Sequence, residues 1–382
     1  MGQGMPVKGI EAIVKFFLSN LPEVLLPQAG RFTHRRWASR FGGTSFQILD
    51  RIGRTAGLRP TNCREMKMTE TSCQCYYTGF ARLKLFWALS RTPHGLLDMC
   101  TAALASLLWL GHFPSFKIIG LGVITVFAGY TAVYALNDVI GYRSDKRKLA
   151  EGNLRGFDDC EDLDAMLVRH PMARGLLSFK EGLVWAVAWA LLALCGAYLL
   201  NPICVLIFVG GCILETIYCL MWNISPSRTL VSGVVKTAGP IAAVFAVDPN
   251  PFLSYLIILF FMIFFWEIGG QNVPNDWSDI QEDMRFKAQT VPIRLGLEKA
   301  KVIIFGSNIL TIVFSGILLI LANITFEFHF VLVFAFVAFY FLLLPTIKLY
   351  QASENSLAMI LFNRASYYPP ALLAIVLIRL MI

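Results

Sequence analysis

Apolar runs of about 17 to 22 residues recur from about residue 97 onward, long enough at about 1.5 Å per residue to cross a ~30 Å hydrocarbon layer. They lie near 97–111, 117–136, 182–200, 202–222, 229–247, 252–272, 302–322, 328–347 and 360–381. Backbone groups in lipid must find partners within their own segment, and strand-like alternation is missing. The pattern therefore predicts an all-α polytopic membrane protein with nine transmembrane helices.

The connections alternate between long polar segments and very short ones. Residues 142–181 hold Arg143, Lys146, Arg147, Lys148, Arg155, Arg169, Arg174 and Lys180, and residues 273–301 hold Arg285, Lys287, Arg294, Lys299 and Lys301. Both long segments fall on one side of the predicted spans, with Arg228 and Lys348, while the other side offers little beyond Lys117. The positive-inside rule then puts the N-terminus and both long loops in the cytoplasm, and an odd number of spans puts the C-terminus on the opposite side. Arg379 near that end can snorkel to the far interface.

The first 95 residues read as a separate extension, ahead of a membrane domain over residues 96–382. Ile10, Ile13, Val14, Phe17 and Leu21 recur at helical spacing opposite Lys8, Glu11 and Lys15, which predicts an interfacial amphipathic helix ended by Pro22. From Gly30 to Tyr77 the chain is basic and weakly periodic, as a cytoplasmic extension would be. No small-residue cleavage site follows the apolar stretch, so a cleavable signal peptide is not expected.

Composition sharpens this picture. With 56% hydrophobic and 15% charged residues, water cannot be the main solvent. The formal charge of +8 is concentrated at the start, where residues 1–95 carry 14 Lys/Arg against 5 Asp/Glu. That surplus suits a positive-inside flank on anionic lipid. Nucleic acid is not an expected partner, because the basic residues are scattered and no reader motif accompanies them. Nine cysteines, five of them (Cys100, Cys195, Cys204, Cys212 and Cys219) inside apolar runs, indicate no disulfide framework. Cys73 and Cys75 are too close for a CxxC pair.

Candidate chemistry gathers at two span ends. Near the end of the second run, Asn137, Gly141 and Asp145 share a helical face, with Asp138 beside them. After the sixth run, Asp276, Asp279 and Asp283 follow i, i+3, i+7 and would stack on one stripe, preceded at the same spacing by Asn272. Like charges so arranged repel unless a cation sits on them, and hard oxygen ligands suit Mg²⁺, which shares phosphate oxygens with its protein ligands. Glu267 lies deeper, where an ionisable group is costly. The two clusters are four spans apart yet reach one membrane face, so together they could hold two metal ions around a diphosphate. The acidic residues Asp158, Asp159, Glu161, Asp162 and Asp164 read instead as a solvated face.

These motifs resemble those of the UbiA superfamily of intramembrane prenyltransferases, whose nine-helix fold carries NDxxDxxxD after the second helix and DxxxD after the sixth. Asn137, Asp138 and Asp145 match the first pattern, and Asp279 with Asp283 match the second. The segments SRTPHGLLD (90–98), HPMARGLLS (170–178) and AQTVPIRLG (288–296) are similar to family segments before the first and third helices and after the second motif. Gly141 stands where the family has its middle aspartate, and His170 stands where its third-helix entry has an arginine.

The resemblance implies a bundle whose central cavity opens to the cytoplasm, holding Mg²⁺ on Asn137, Asp138, Asp145, Asp276, Asp279 and Asp283. Asp138, Asp145, Asp279 and Asp283 would be the catalytic carboxylates. It further implies a prenyl diphosphate contacted by Arg91, Arg174, Lys236 and Arg285, whose isoprenoid chain passes to an aromatic or lipid acceptor or, without an acceptor, cyclises. Tyr134, Tyr142 and Tyr218 lie near the head-group end, where aromatic residues commonly anchor the interface. A non-catalytic relative would merely hold lipid at the weakened first motif, and a transporter would place its acids at broken helices near the midplane, where no such inverted pair is legible.

Overall fold

The computed structural model describes residues 79–151 and 167–382, and these are helical throughout apart from their connections. The amphipathic segment at residues 10–21, Cys73 with Cys75, and the acidic run at 158–164 lie outside the described residues. A short helix, α1 (Phe80–Leu89), precedes α2 (Thr92–Leu110), α3 (Phe116–Ala150), α4 (Phe179–Leu200), α5 (Pro202–Leu220) and α6 (Arg228–Val247). Then come α7 (Leu253–Trp266), a π-helical turn (Glu267–Asn272), α8 (Val273–Ser278), α9 (Ile280–Arg285), α10 (Val291–Leu295) and α11 (Leu297–Leu321). The chain closes with α12 (Phe328–Ala338), a second π turn (Phe339–Leu343), α13 (Leu344–Ala352), α14 (Asn355–Ser366) and α15 (Tyr368–Met381).

Every apolar run falls on a helix or a stacked pair of helices, but the count of spans differs from nine. Eight helical segments among the described residues are long and apolar enough to cross a membrane. The run near 97–111 is not one of them, because its helix α2 begins with Thr92, Pro93 and His94 and buries Asp98 nearly two turns in. The second run is extended instead: α3 has 35 residues. At about 1.5 Å per residue it is about 52 Å long, so its final turns reach well past a hydrocarbon layer.

Local chemistry sets the boundaries. Ser178 and Glu181 form a reciprocal capping box that starts α4. Asn201 caps α5 through Ile203 N and donates from Nδ2 to the carbonyl of Phe245, tying the turn between α4 and α5 to α6. The last run is divided at Tyr367, where α15 opens with Pro369 and Pro370 after Tyr368.

Two apolar clusters hold the bundle. The larger gathers Tyr255, Trp266, Trp277, Leu342, Leu361 and Tyr368 from the second half of the chain against Leu104 and Leu108 of α2. The smaller joins Leu85 and Leu89 of α1 to Ala135, Met172, Leu177 and Ala186. Large apolar side chains also face outward, among them Leu206, Ile224 and Ile320, as the surface of a lipid-facing bundle requires.

The first π turn is wedged in place. A Cβ on Gly269 would lie 2.7 Å from Ser307 Cβ, and one on Gly270 would lie 2.9 Å from Ala365 Cβ. Both contacts are too close for any side chain, so the backbone of this turn packs directly on α11 and α14.

Candidate active site

The end of α3 supplies one wall. Asp138 is buried, and two turns further on Asp145 is half-buried. Between them stands a side chain from the connection before α4: His170 Nδ1 lies 3.6 Å from Asp138 Oδ1 and 3.1 Å from Asp145 Oδ2. Burial pushes the His170 imidazole down, but the two carboxylates outweigh it and hold it up at about 9. A small cavity beside them is lined by Ala88, Arg91, Asp138, Leu167, Val168, Arg169 and His170. Asn137 looks the other way along the same helix end, donating from Nδ2 to Glu215 Oε1 of α5 at 2.6 Å.

The turns after α7 supply the facing wall. The expected acidic stripe is not one unbroken helix: α8 ends at Ser278, α9 begins at Ile280, and Asp279 sits between them with φ −97° and ψ 8°. The Asp279 carbonyl then accepts from the N–H groups of Glu282 and Asp283, starting the new turn. Asn272, at the end of the π turn, is buried and donates to Tyr218 and Ser232. Asp276, Asp279 and Asp283 nevertheless remain close enough to act on one another. Burial raises the Asp283 carboxyl to about 7; Asp276 and Asp279 add to the rise, and Lys148 and Arg228 oppose it.

One cation joins the walls and a second backs the acidic turns after α7. Lys148, one turn beyond Asp145 on α3, lies 3.0 Å from Glu282 and 3.9 Å from Asp283, with its ammonium over the rings of Trp222 and Phe286. Arg228, the first residue of α6, is buried against the Tyr218 ring, donates to the Tyr218 hydroxyl and approaches Asp276 Oδ1 at 3.7 Å. Arg228 retains two nitrogens, Nε and Nη1, without hydrogen bonds, and Asp276 Oδ2 is likewise buried without one.

The four expected diphosphate contacts separate. Arg91 caps α2 in a left-handed backbone conformation, φ 43°, on the cavity that Asp138 and His170 share. Arg174 follows His170 by four residues, its backbone N–H donating to the His170 carbonyl. Arg285 is exposed at the end of α9. Lys236 is deeper in the bundle, 2.7 Å from Asp98 Oδ2, 3.3 Å from the Tyr134 hydroxyl and 3.6 Å from Glu267 Oε2. The Tyr134 hydroxyl also donates to Asp98. Ser232 holds the other Glu267 oxygen at 2.6 Å.

Sequence reading passed over His170, Lys148, Arg228, Tyr218 and Glu215 as site residues. Arg228 and Lys148 counted only as topological charge, although an arginine opening an apolar helix is a signal in itself. Tyr218 read as an interface anchor. Nothing in the spacing ties Glu215 to Asn137 or His170 to Asp145.

The profile of the UbiA prenyltransferase family matches residues 99–367. The digeranylgeranylglyceryl phosphate synthase of Pyrococcus abyssi is 25% identical over 236 residues, which are 61% of this chain and 76% of that protein. The same enzyme of Thermococcus kodakarensis is 26% identical over 235 residues, with the same shares covered. Among solved structures, a UbiA homologue from Aeropyrum pernix superposes with a TM-score of 0.59 at 15% identity, over 73% of this chain and 96% of that one. A UbiA homologue from Archaeoglobus fulgidus bound to DMAPP and Mg²⁺ superposes with a TM-score of 0.55 at 15% identity, over 76% and 98%.

Proposed function

This chain belongs to the UbiA prenyltransferase family, and we propose that it ionises a prenyl diphosphate with the help of divalent metal and transfers the isoprenoid chain to an aromatic or lipid acceptor. The observation that carries this reading is Lys148, which follows Asp145 by one turn of α3 and lies 3.9 Å from Asp283, so that one side chain links the helix end bearing Asp138 and Asp145 to the cluster of Asp276, Asp279 and Asp283. Both walls offer donors that suit metal. On the second, the chemistry is all oxygen, and Asp276 Oδ2 is a buried acceptor with no hydrogen bond. The Archaeoglobus relative, with DMAPP and Mg²⁺ bound, supports the same substrate class and Mg²⁺ here.

When bound, the metal would supply positive charge to neutralise the diphosphate as it leaves. Asp138, Asp145, Asp276, Asp279 and Asp283 would hold it. Arg91, Arg174, Lys148 and Arg228 would oppose the remaining phosphate charge, Arg228 through its Nε and Nη1 groups, which make no hydrogen bond. Arg285, exposed, meets the diphosphate only at the rim. Asn137, fixed by Glu215, positions the end of α3 beside Asp138. The isoprenoid chain lies among the apolar helices, where the allylic cation is kept from water until the acceptor attacks.

The same proposal takes α2 as a ninth span, since its 19 residues reach about 28 Å and it packs against α6 and α15. It places the carboxylate end and the basic extension over residues 1–95 in the cytoplasm, and the C-terminus beyond the far face of the 96–382 domain. The test is incubation of the purified protein with labelled geranylgeranyl diphosphate, Mg²⁺ and membrane lipid extract. Diphosphate release with a labelled prenylated product is expected. A hydrocarbon alone identifies a cyclase, and no release at all overturns the reading.

A further inference from the structure

The first wall is not built like the second. Its middle position on α3 is Gly141, where a Cβ would lie 3.2 Å from Asp145 Oδ2, so this helix end gives two carboxylates where the second wall gives three. A ring nitrogen occupies the gap. Asp138, Asp145 and His170 each offer one ligand atom, and the three atoms all lie within 4.8 Å of one another. His170 Nδ1 is buried and makes no well-aligned hydrogen bond, although two carboxylates are close. The ring is held there by a left-handed backbone at His170, φ 50°, followed by the Arg174 N–H on its carbonyl.

We propose that His170 is a metal ligand, completing a nitrogen and two-carboxylate site with Asp138 and Asp145, and that this site favours a borderline transition-metal ion such as Fe²⁺ or Zn²⁺ over Mg²⁺, with Mn²⁺ as the paramagnetic probe of its nitrogen ligand. Mg²⁺ demands oxygen donors and surrenders its waters reluctantly, whereas imidazole suits transition metals. The two walls then differ in ion preference. The all-oxygen wall of Asp276, Asp279 and Asp283 keeps Mg²⁺, and the wall at Asp138 gains affinity from nitrogen that a third carboxylate would not give.

The proposal rests on the reading of this mouth as a metal-assisted site, but its test needs no substrate, so its failure leaves the transfer assay standing by itself. Metal-free protein in detergent is titrated with Mn²⁺ and examined by electron spin-echo modulation for nitrogen coupled to the metal. Wild type is expected to show that coupling, and Mg²⁺ to displace the coupled Mn²⁺ only in about tenfold or greater excess. His170→Ala should abolish the coupling and weaken that Mn²⁺ site about tenfold or more. His170→Asp keeps three ligands, should also lose the coupling, and should bring Mg²⁺ and Mn²⁺ to similar affinity. Should the alanine variant fail to fold, the wild-type signal and the aspartate variant decide. Bound Mn²⁺ without nitrogen coupling, coupling that survives either substitution, or no Mn²⁺ binding at all would overturn the assignment.

Discussion

Lys236 donates to Asp98 across 2.7 Å, joining α6 to α2 inside the bundle, and Glu267 of the π turn stands 3.6 Å from the same ammonium. Lys236 is two turns of helix, about 12 Å, further into α6 than Arg228. Tyr134 and Trp266 place their rings against the ammonium as well. Cation and carboxylates are thus occupied with one another in a layer beneath the acidic mouth. Pro240 lies one turn further on and supplies no N–H to the Lys236 carbonyl.

A buried pair broken on one side leaves an uncompensated charge, which costs about 3 to 5 kcal/mol. Lys236→Met should therefore destabilise the protein by about that amount in denaturation monitored by tryptophan fluorescence. The double variant Lys236→Met with Asp98→Leu should be the less damaged of the two. Equal destabilisation of both would mean that the pair contributes nothing beyond its packing.

Arg228 is the charged residue held between the second wall and the Tyr218 ring of α5. Removing a charge-assisted contact costs about 1.5 to 3 kcal/mol, or roughly 10- to 100-fold in affinity. Arg228→Met should weaken binding of a prenyl diphosphate to that extent, measured at saturating Mg²⁺ so that Asp276 keeps a cation beside it. Tyr218→Phe, which removes the hydroxyl and keeps the ring, should give a smaller loss in the same binding assay.

Asp279→Ala and Asp283→Ala should each abolish diphosphate release in the labelled-substrate assay. Retention of most activity by both would reject the second wall as the metal-holding one. At the rim, Arg285→Ala removes an exposed side chain and is expected to change release by less than about threefold.

The Asp283 carboxyl, raised by burial to about 7, fixes a pH dependence. Protons compete with metal for it, so Mg²⁺ affinity should fall as pH drops through about 7 and level off above about 8. Metal-free protein should show the opposite trend in stability. A carboxyl whose folded value exceeds its ordinary 3.8 contributes stability that is fully present below that value and lost as pH rises through about 7. Calorimetry with Mg²⁺ and melting curves in chelator, both between about pH 5 and 8, check the two signs.

The apolar runs made the helices legible because lipid imposes one simple requirement on every residue that meets it. Both acidic clusters were legible for a related reason, as carboxylates at the ends of such runs have no packing role. What sequence could not supply was register and pairing. The π turn at Glu267–Asn272 follows from how closely Gly269 and Gly270 approach Ser307 and Ala365, which are distant in the chain. The partners of Lys236, Asp98 and Glu267, are likewise distant from it in the chain. His170 belongs to a connection without periodicity, so its place between Asp138 and Asp145 left no trace in the spacing.

The π turn has a consequence for how this chain can change by insertion and deletion. A π turn spends one residue more than an α turn on the same rotation, so that residue could be lost with the phase beyond it kept, whereas a further residue drawn into ordinary helix would swing everything beyond by about 100°. Asp276, Asp279 and Asp283 would then face away from Asp138, although every carboxylate was still encoded. The extra residue in that turn thus absorbs a change of length, and a lineage that lost it would keep both the motif and the facing of its two halves.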